Sequence, residues 1–367
     1  MLLESSRSLV WRRFKYHRLA FISLIILLFF IFLSLCAPLL ENFLGVSHRE
    51  ARLIGVDLPP GWPHLLGTNE LGQDVFTRLI FGGRISLSVG IIAALSSAII
   101  GAFIGLLAGF YGGRIDALLM RFTDAMLSVP VLPLMIVFAA LDLGGLFSQN
   151  LSLAHIFLLL SLVVIICMII RFISDNKTKH HEKNYFWRLM ADSLLAWLFL
   201  VLGYVCIFVL IPWKALGQGN FASVTKLILI IVFFGWMSVA RLARASALQL
   251  KNLEFVTAAR GLGARNARIM LIHILPNALA PIIVAATLEV GANILYEASL
   301  SFLGLGIQPP VSSWGNMLNN AVEYIKTNPA LAFWPGLFIL ITVACFNFLG
   351  DGMRDALDPH QVLKNLK

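Results

Sequence analysis

Residues 241–277 read RLARASALQLKNLEFVTAARGLGARNARIMLIHILPN. This is a long polar interval between two apolar runs, and it sets Arg241, Arg244, Lys251, Arg260, Arg265 and Arg268 against one acid, Glu254. Residues 253–260 have helical propensity, and Gly261-Leu262-Gly263 supplies a helix stop. A second helical piece, 264–273, runs to Leu275-Pro276. Two short helices joined at a glycine corner would form a knob projecting from an apolar body. Ala258 and Ala259 give that knob a slim face, Phe255 an apolar anchor and Arg260 a charged one. Two readings fit these residues: a plug for a partner's groove, and a basic helix lying on anionic lipid.

The rest of the chain decides on which side such a knob would stand. Of 367 residues, 59% are hydrophobic and 13% charged, against about 45–50% and about 25% in soluble domains. This excludes an ordinary soluble enzyme and predicts an all-α polytopic membrane protein. The net charge of +9 fits cytoplasmic loops rich in Lys and Arg better than nucleic-acid binding. Apolar runs at about 19–40, 85–110, 117–141, 151–170, 193–212, 227–240, 278–300 and 331–349 give eight candidate spans. With the N-terminus inside, the internal segments carry 21 Lys and Arg and the external ones 7. That threefold bias puts 241–277 and both termini in the cytoplasm. Removing the pair of spans at 151–212 leaves six without inverting any other segment, so that pair reads as an inserted hairpin.

Within this plan, residues 69–78 are expected to form a short interfacial helix with Leu71, Val75 and Leu79 on one side. The run at 117–141 is expected to be one span kinked by Pro130 and Pro133. Gly101 and Gly105 match the GxxxG pattern of close helix contact, which is common by chance in glycine-rich spans.

Several segments together carry a family resemblance. Glu254-Phe255-Val256-Thr257-Ala258-Ala259-Arg260, then Gly263 and Leu275-Pro276, resembles the EAA loop of ABC importer permeases, with Thr257 where many members have Glu. His64–Asp74 (HLLGTNELGQD), Gly82–Leu87 (GGRISL), Tyr111–Asp116 (YGGRID), Glu297–Gly306 (EASLSFLGLG), Pro309-Pro310, Ser313–Asn316 (SWGN) and Asn347–Pro359 (NFLGDGMRDALDP) resemble the dipeptide/oligopeptide (Dpp/Opp) branch, C-type second permease. The likeness covers nearly the whole chain except about 142–225.

The resemblance implies an ABC importer type I transmembrane fold, with six family helices plus the inserted hairpin. Residues 1–84 would hold the cytoplasmic tail, first span and external segment, 85–350 the permease domain with its insertion at about 142–225, and 351–367 a cytoplasmic tail. It implies a multi-pass inner-membrane subunit that forms part of a pathway for di- and oligopeptides. The expected partners are a B-type permease in a heterodimer, two cytoplasmic ABC ATPases, an external substrate-binding protein and membrane lipid, with no nucleic acid. The loop residues Glu254, Phe255, Thr257, Ala258, Ala259, Arg260, Gly263, Leu275 and Pro276 would couple to the ATPases. ATP and Mg would sit on those partners, with no cofactor on this chain. The alternative is the same machinery carrying nickel or another peptide-like solute. A secondary transporter or channel would need polar residues spread through several spans.

Glu289 and Glu297 lie eight residues apart in one apolar run, roughly on one helical face. Intramembrane acids are candidate pathway residues, and either one could meet a peptide's ammonium group. The simpler reading is a carboxyl at the external edge or one bonded to a neighbouring span. Adjacent histidines do not share a helix face, so His180-His181-Glu182 reads as a solvated loop and no metal site is expected. Cys36, Cys167, Cys206 and Cys345 lie in apolar runs without paired spacing and read as packing residues. No Walker A, GxSxG, HExxH or CxxC pattern occurs, so no catalytic residue is assigned.

Overall fold

The computed structural model describes residues 6–48, 55–140 and 222–357, and these are helical apart from loops and one isolated bridge between Thr68 and Asp74. The helices are α1 (Ser6–Tyr16), α2 (Arg18–Leu35), α3 (Ala37–Leu44), α4 (Val75–Tyr111), α5 (Gly113–Leu127), α6 (Val131–Ala140) and α7 (Ala222–Leu250). They continue with α8 (Glu254–Gly261), α9 (Asn266–Phe302, π-helical over Ile269–Ile274), α10 (Trp314–Ala321) and α11 (Ala330–Leu357). Five of them, α2, α4, α7, α9 and α11, are long and apolar enough to cross a bilayer, and there are six if the bent pair α5–α6 is one broken span. The expected runs at 151–170 and 193–212 lie outside the described residues.

Exposed Leu, Ile and Phe side chains cover α2, including Ile22, Ile25, Leu28, Phe29 and Phe32. Such a surface is stable against acyl chains and costly in water. Cohesion between helices in lipid comes from close contact rather than from expelled water, and α4 and α7 show how. Gly101, Gly105 and Gly109 of α4 each lie against the α7 backbone near residues 236–247, where an added Cβ would collide with backbone or with Ala243 and Ala247. The contacts advance in the same direction on both helices, so the pair runs parallel. The GxxxG pattern is therefore a packing seam, and it continues one turn further than the pattern itself.

One expectation requires correction and one is sharpened. Residues 69–74 form a turn rather than an interfacial helix, because Asp74 caps α4: its Oδ1 accepts from Thr77 N at 2.7 Å, while Oδ2 pairs with His64 Nδ1 at 3.0 Å. Val75 and Leu79 thereby fall inside α4 and are buried, and Leu71 alone is exposed. The run at 117–141 bends where its prolines predict, but more sharply than a kink: α5 and α6 meet at 81° across a short break. Pro130 disfavours helical geometry at Val129 and has no N–H to donate. Pro133 sits in the first turn of α6, where proline is tolerated.

Candidate functional site

The knob stands on a braced stem. Hydropathy ends the seventh helix near Ala240, but α7 runs on to Leu250. This extension is held by charges from distant segments. Arg244 grips Asp116 of α5 with both fork positions, Nε to Oδ1 at 2.5 Å and Nη2 to Oδ2 at 2.7 Å. Arg241 pairs with Asp124 of the same helix, and Lys251 Nζ donates to the Gly109 carbonyl at 2.9 Å, near the end of α4. Three of the six cations in 241–277 are thus bonded to other helices, Arg241 at the surface and Arg244 and Lys251 half-buried. Arg260, Arg265 and Arg268 are exposed.

Helix α8 is the knob itself. Glu254 in its first turn and Arg260 in its last complement the helix dipole. Val256 and Ala259 turn inward, and Val256 joins the cluster formed by Ala243, Ala247, Ile269 and Ile274. Phe255, Thr257, Ala258 and Arg260 face outward, and Leu262 beyond them is 90% exposed. The slim face expected from Ala258 and Ala259 is corrected: neighbouring helical residues stand about 100° apart, so the two alanines point to different sides. Gly263 makes the corner at φ +81°. Its surroundings are open, and a Cβ added there would meet nothing within 4 Å, so glycine is needed for its backbone angle rather than for room. The amides of Leu262, Gly263 and Ala264 donate to Ala258, Arg260 and Ala259 carbonyls at 3.0 Å each, closing the end of α8.

The return helix begins at Asn266 and passes through the π stretch before Leu275 and Pro276. Pro276 lacks an N–H and its ring crowds the preceding turn, which a wider π turn relieves. Leu275 is half-buried and Pro276 exposed, so neither belongs to the outward face of α8.

The two carboxylates of α9 have different surroundings. Glu297 is fully buried. Ser86 of α4 donates to its Oε2 at 2.7 Å and Ser301 to its Oε1 at 2.8 Å. The same serines accept the backbone amides of Trp314 and Ile307, at 3.2 and 3.1 Å. Trp314 Nε1 reaches the Leu79 carbonyl at 3.0 Å, and its ring lies against Gly82 and Gly83. Glu297 is therefore the centre of a polar knot tying α4, α9 and α10 together.

Glu289 has a buried Oε2 without a hydrogen-bond partner among the described residues, and so have Ser97 Oγ and Asn293 Nδ2. Ser97 Oγ and Glu289 Oε2 both lie within 4.0 Å of the point where a Cβ on Gly235 would stand. This polar spot lies where α4, α7 and α9 converge. Sequence spacing alone could not separate the two acids, since Ser86 is 211 residues from Glu297.

Near the final span, Asp355 lies 3.8 Å from His17, which ties the end of α11 to the start of α2. Among the described residues no three His, Cys, Asp or Glu side chains gather as a metal site, and Cys36 and Cys345 are free thiols. His180-His181-Glu182, Cys167 and Cys206 lie outside the described residues.

Comparison with known proteins gives this geometry a context. Residues 185–362 match the family described as the binding-protein-dependent transport system inner membrane component. Residues 5–50 match the N-terminal transmembrane domain of oligopeptide transport permease C. The chain is 32% identical over 347 residues to the oligopeptide transport system permease protein OppC of Bacillus subtilis, covering 95% of this chain and 87% of that protein. It is 35% identical over 350 residues to the dipeptide transport system permease protein DppC of the same organism, covering 95% and 84%. It is 32% identical over 361 residues to the di/tripeptide transport system permease protein DppC of Pseudomonas aeruginosa, covering 97% and 92%. With relatives matched at this identity over nearly their full length, the chain belongs to the Dpp/Opp family of ABC importer permeases, in its C-type branch.

Proposed function

We propose that this chain is one of two permease subunits of an ATP-driven importer, passing di- and oligopeptides across the inner membrane. It works with a B-type permease, two cytoplasmic ATPases that hold ATP and Mg, and an external binding protein. Peptide cargo is favoured over nickel because the relatives described above are named for oligopeptides, dipeptides and tripeptides. In this reading the chain keeps six family spans plus the hairpin within 142–225, with both termini in the cytoplasm.

The observation that supports it most is the outward face of α8. Phe255, Thr257, Ala258 and Arg260 are each exposed around its outer side, on a stem braced by Arg244–Asp116 and Lys251–Gly109. A nucleotide can shift a transporter only through contacts that differ between its states. A rigid stem carries such a contact back to α4, α5 and α7. Of the two acids, Glu289 is assigned to the pathway, because its buried oxygen has no internal partner among the described residues. Glu297 is assigned to the fold.

The test uses the whole complex in proteoliposomes with ATP inside and binding protein outside. Gly263→Pro should abolish ATP-driven uptake of a labelled tripeptide, because proline cannot adopt φ +81°. Uptake that persists with inactivated ATPase subunits would rule out the importer reading. Normal uptake by Gly263→Pro would remove the coupling role of the loop.

A further inference from the structure

At the end of α9 remote from the coupling loop, a shallow pocket opens between the start of α4, α10 and the start of α11. Its lining includes Glu70, Arg78, Met317, Asn320 and Leu331. Arg78 lies in the first turns of α4 and is 6% exposed. Its side chain makes no hydrogen bond or ion pair among the described residues, and its Nε is buried without a partner. A buried guanidinium without a hydrogen-bond partner is costly, because burial strips its water and the through-space attraction of Glu70 offsets that only in part. The nearby acids meet the need only in part. Asp74 is taken by His64 and Thr77, and Glu70, on the same lining, attracts Arg78 through space without a hydrogen bond or ion pair to it.

We propose that the Arg78 pocket receives a carboxylate at this mouth of the transporter. A guanidinium offers two parallel donors to a carboxylate. The Asn320 amide stands on the same lining, beside the carbon atoms of Met317 and Leu331. A single cation with an acid on the same lining fits a monoanion better than a doubly charged phosphate. The carboxylate comes either from the C-terminus of the cargo peptide or from an acidic side chain of the protein that delivers it. The inference rests on the importer reading above.

The complex reconstituted with Arg78→Met and Arg78→Lys tests it, using a tripeptide and its C-terminally amidated form. If Arg78 serves a ligand, Arg78→Met keeps or raises the thermal unfolding midpoint, because an uncompensated buried charge is removed. Uptake of the free acid then falls about tenfold or more, and Arg78→Lys retains part of it. Where the cargo carries the carboxylate, the preference for acid over amide disappears. Where the delivering protein carries it, both peptides are slowed equally and that protein binds the proteoliposomes about tenfold more weakly. Wild-type uptake by Arg78→Met overturns the proposal, as does a fall in uptake matched by a fall in midpoint. ATP dependence, measured on the unmodified complex, reports separately on the importer reading.

Discussion

The loop that feeds α9 and the knot that closes it are built on opposite terms. At the loop, α8 turns two small side chains inward and leaves an aromatic, a threonine and an arginine facing out. At the knot, Glu297, Ser86, Ser301 and Trp314 are all buried and bonded to one another or to backbone. The loop has little to lose in stability and much in contact, while the knot has the reverse. Polar residues in a membrane protein therefore cannot be sorted by type alone. What separates them is whether the chain itself completes their bonding.

Substitutions can break this contrast. The largest effect is expected at the knot. Trp314→Ala removes a fully buried ring and should cost about 3–5 kcal/mol, read as a lower thermal midpoint of the purified complex. An unchanged midpoint would mean the knot is not a structural centre. Next, Glu297→Ala leaves the Ser86 and Ser301 hydroxyls short of their acceptor and should cost about 2–3 kcal/mol. Glu289→Gln, with no bond to lose at Oε2, should leave the midpoint unchanged and reduce peptide uptake. Equal destabilisation by both would erase the distinction between the two acids. At the loop the stability effect depends on which side of α8 is enlarged. Ala258→Trp, on the outer face, should stay within about 0.5 kcal/mol and still block uptake. Ala259→Trp, on the inner face, should cost about 1–3 kcal/mol through overpacking. Wild-type uptake by Ala258→Trp would show that the outer face contacts nothing.

Much of this architecture is legible in the sequence, and the failures have a common cause. The apolar runs mark α2, α4, α7, α9 and α11, because a bilayer imposes length and hydropathy on anything that crosses it. The loop is legible through its glycine corner at Gly263 and its order of residues. Helix ends are less legible: α4 starts at Val75 and α7 continues to Leu250 because of a cap and of ion pairs, which hydropathy does not register. The commitment of Arg241 and Arg244 was hidden because their acids stand 117 and 128 residues away. The roles of Glu289 and Glu297 were hidden for the same reason. A lone acid in an apolar run looks the same whether or not a distant serine meets it.

The seam between α4 and α7 has one more consequence. Where Gly101, Gly105 and Gly109 meet the opposing backbone, no intervening layer of side chains exists to change rotamer. Ordinary helix pairs slide by letting such side chains hop between wells, a lubricant this pair lacks. On the proposed coupling role, a push delivered at α8 would travel along α4 and α7 as along a single thick rod, leaving compliance to the corners, at Gly263 and at the 81° break before Val131.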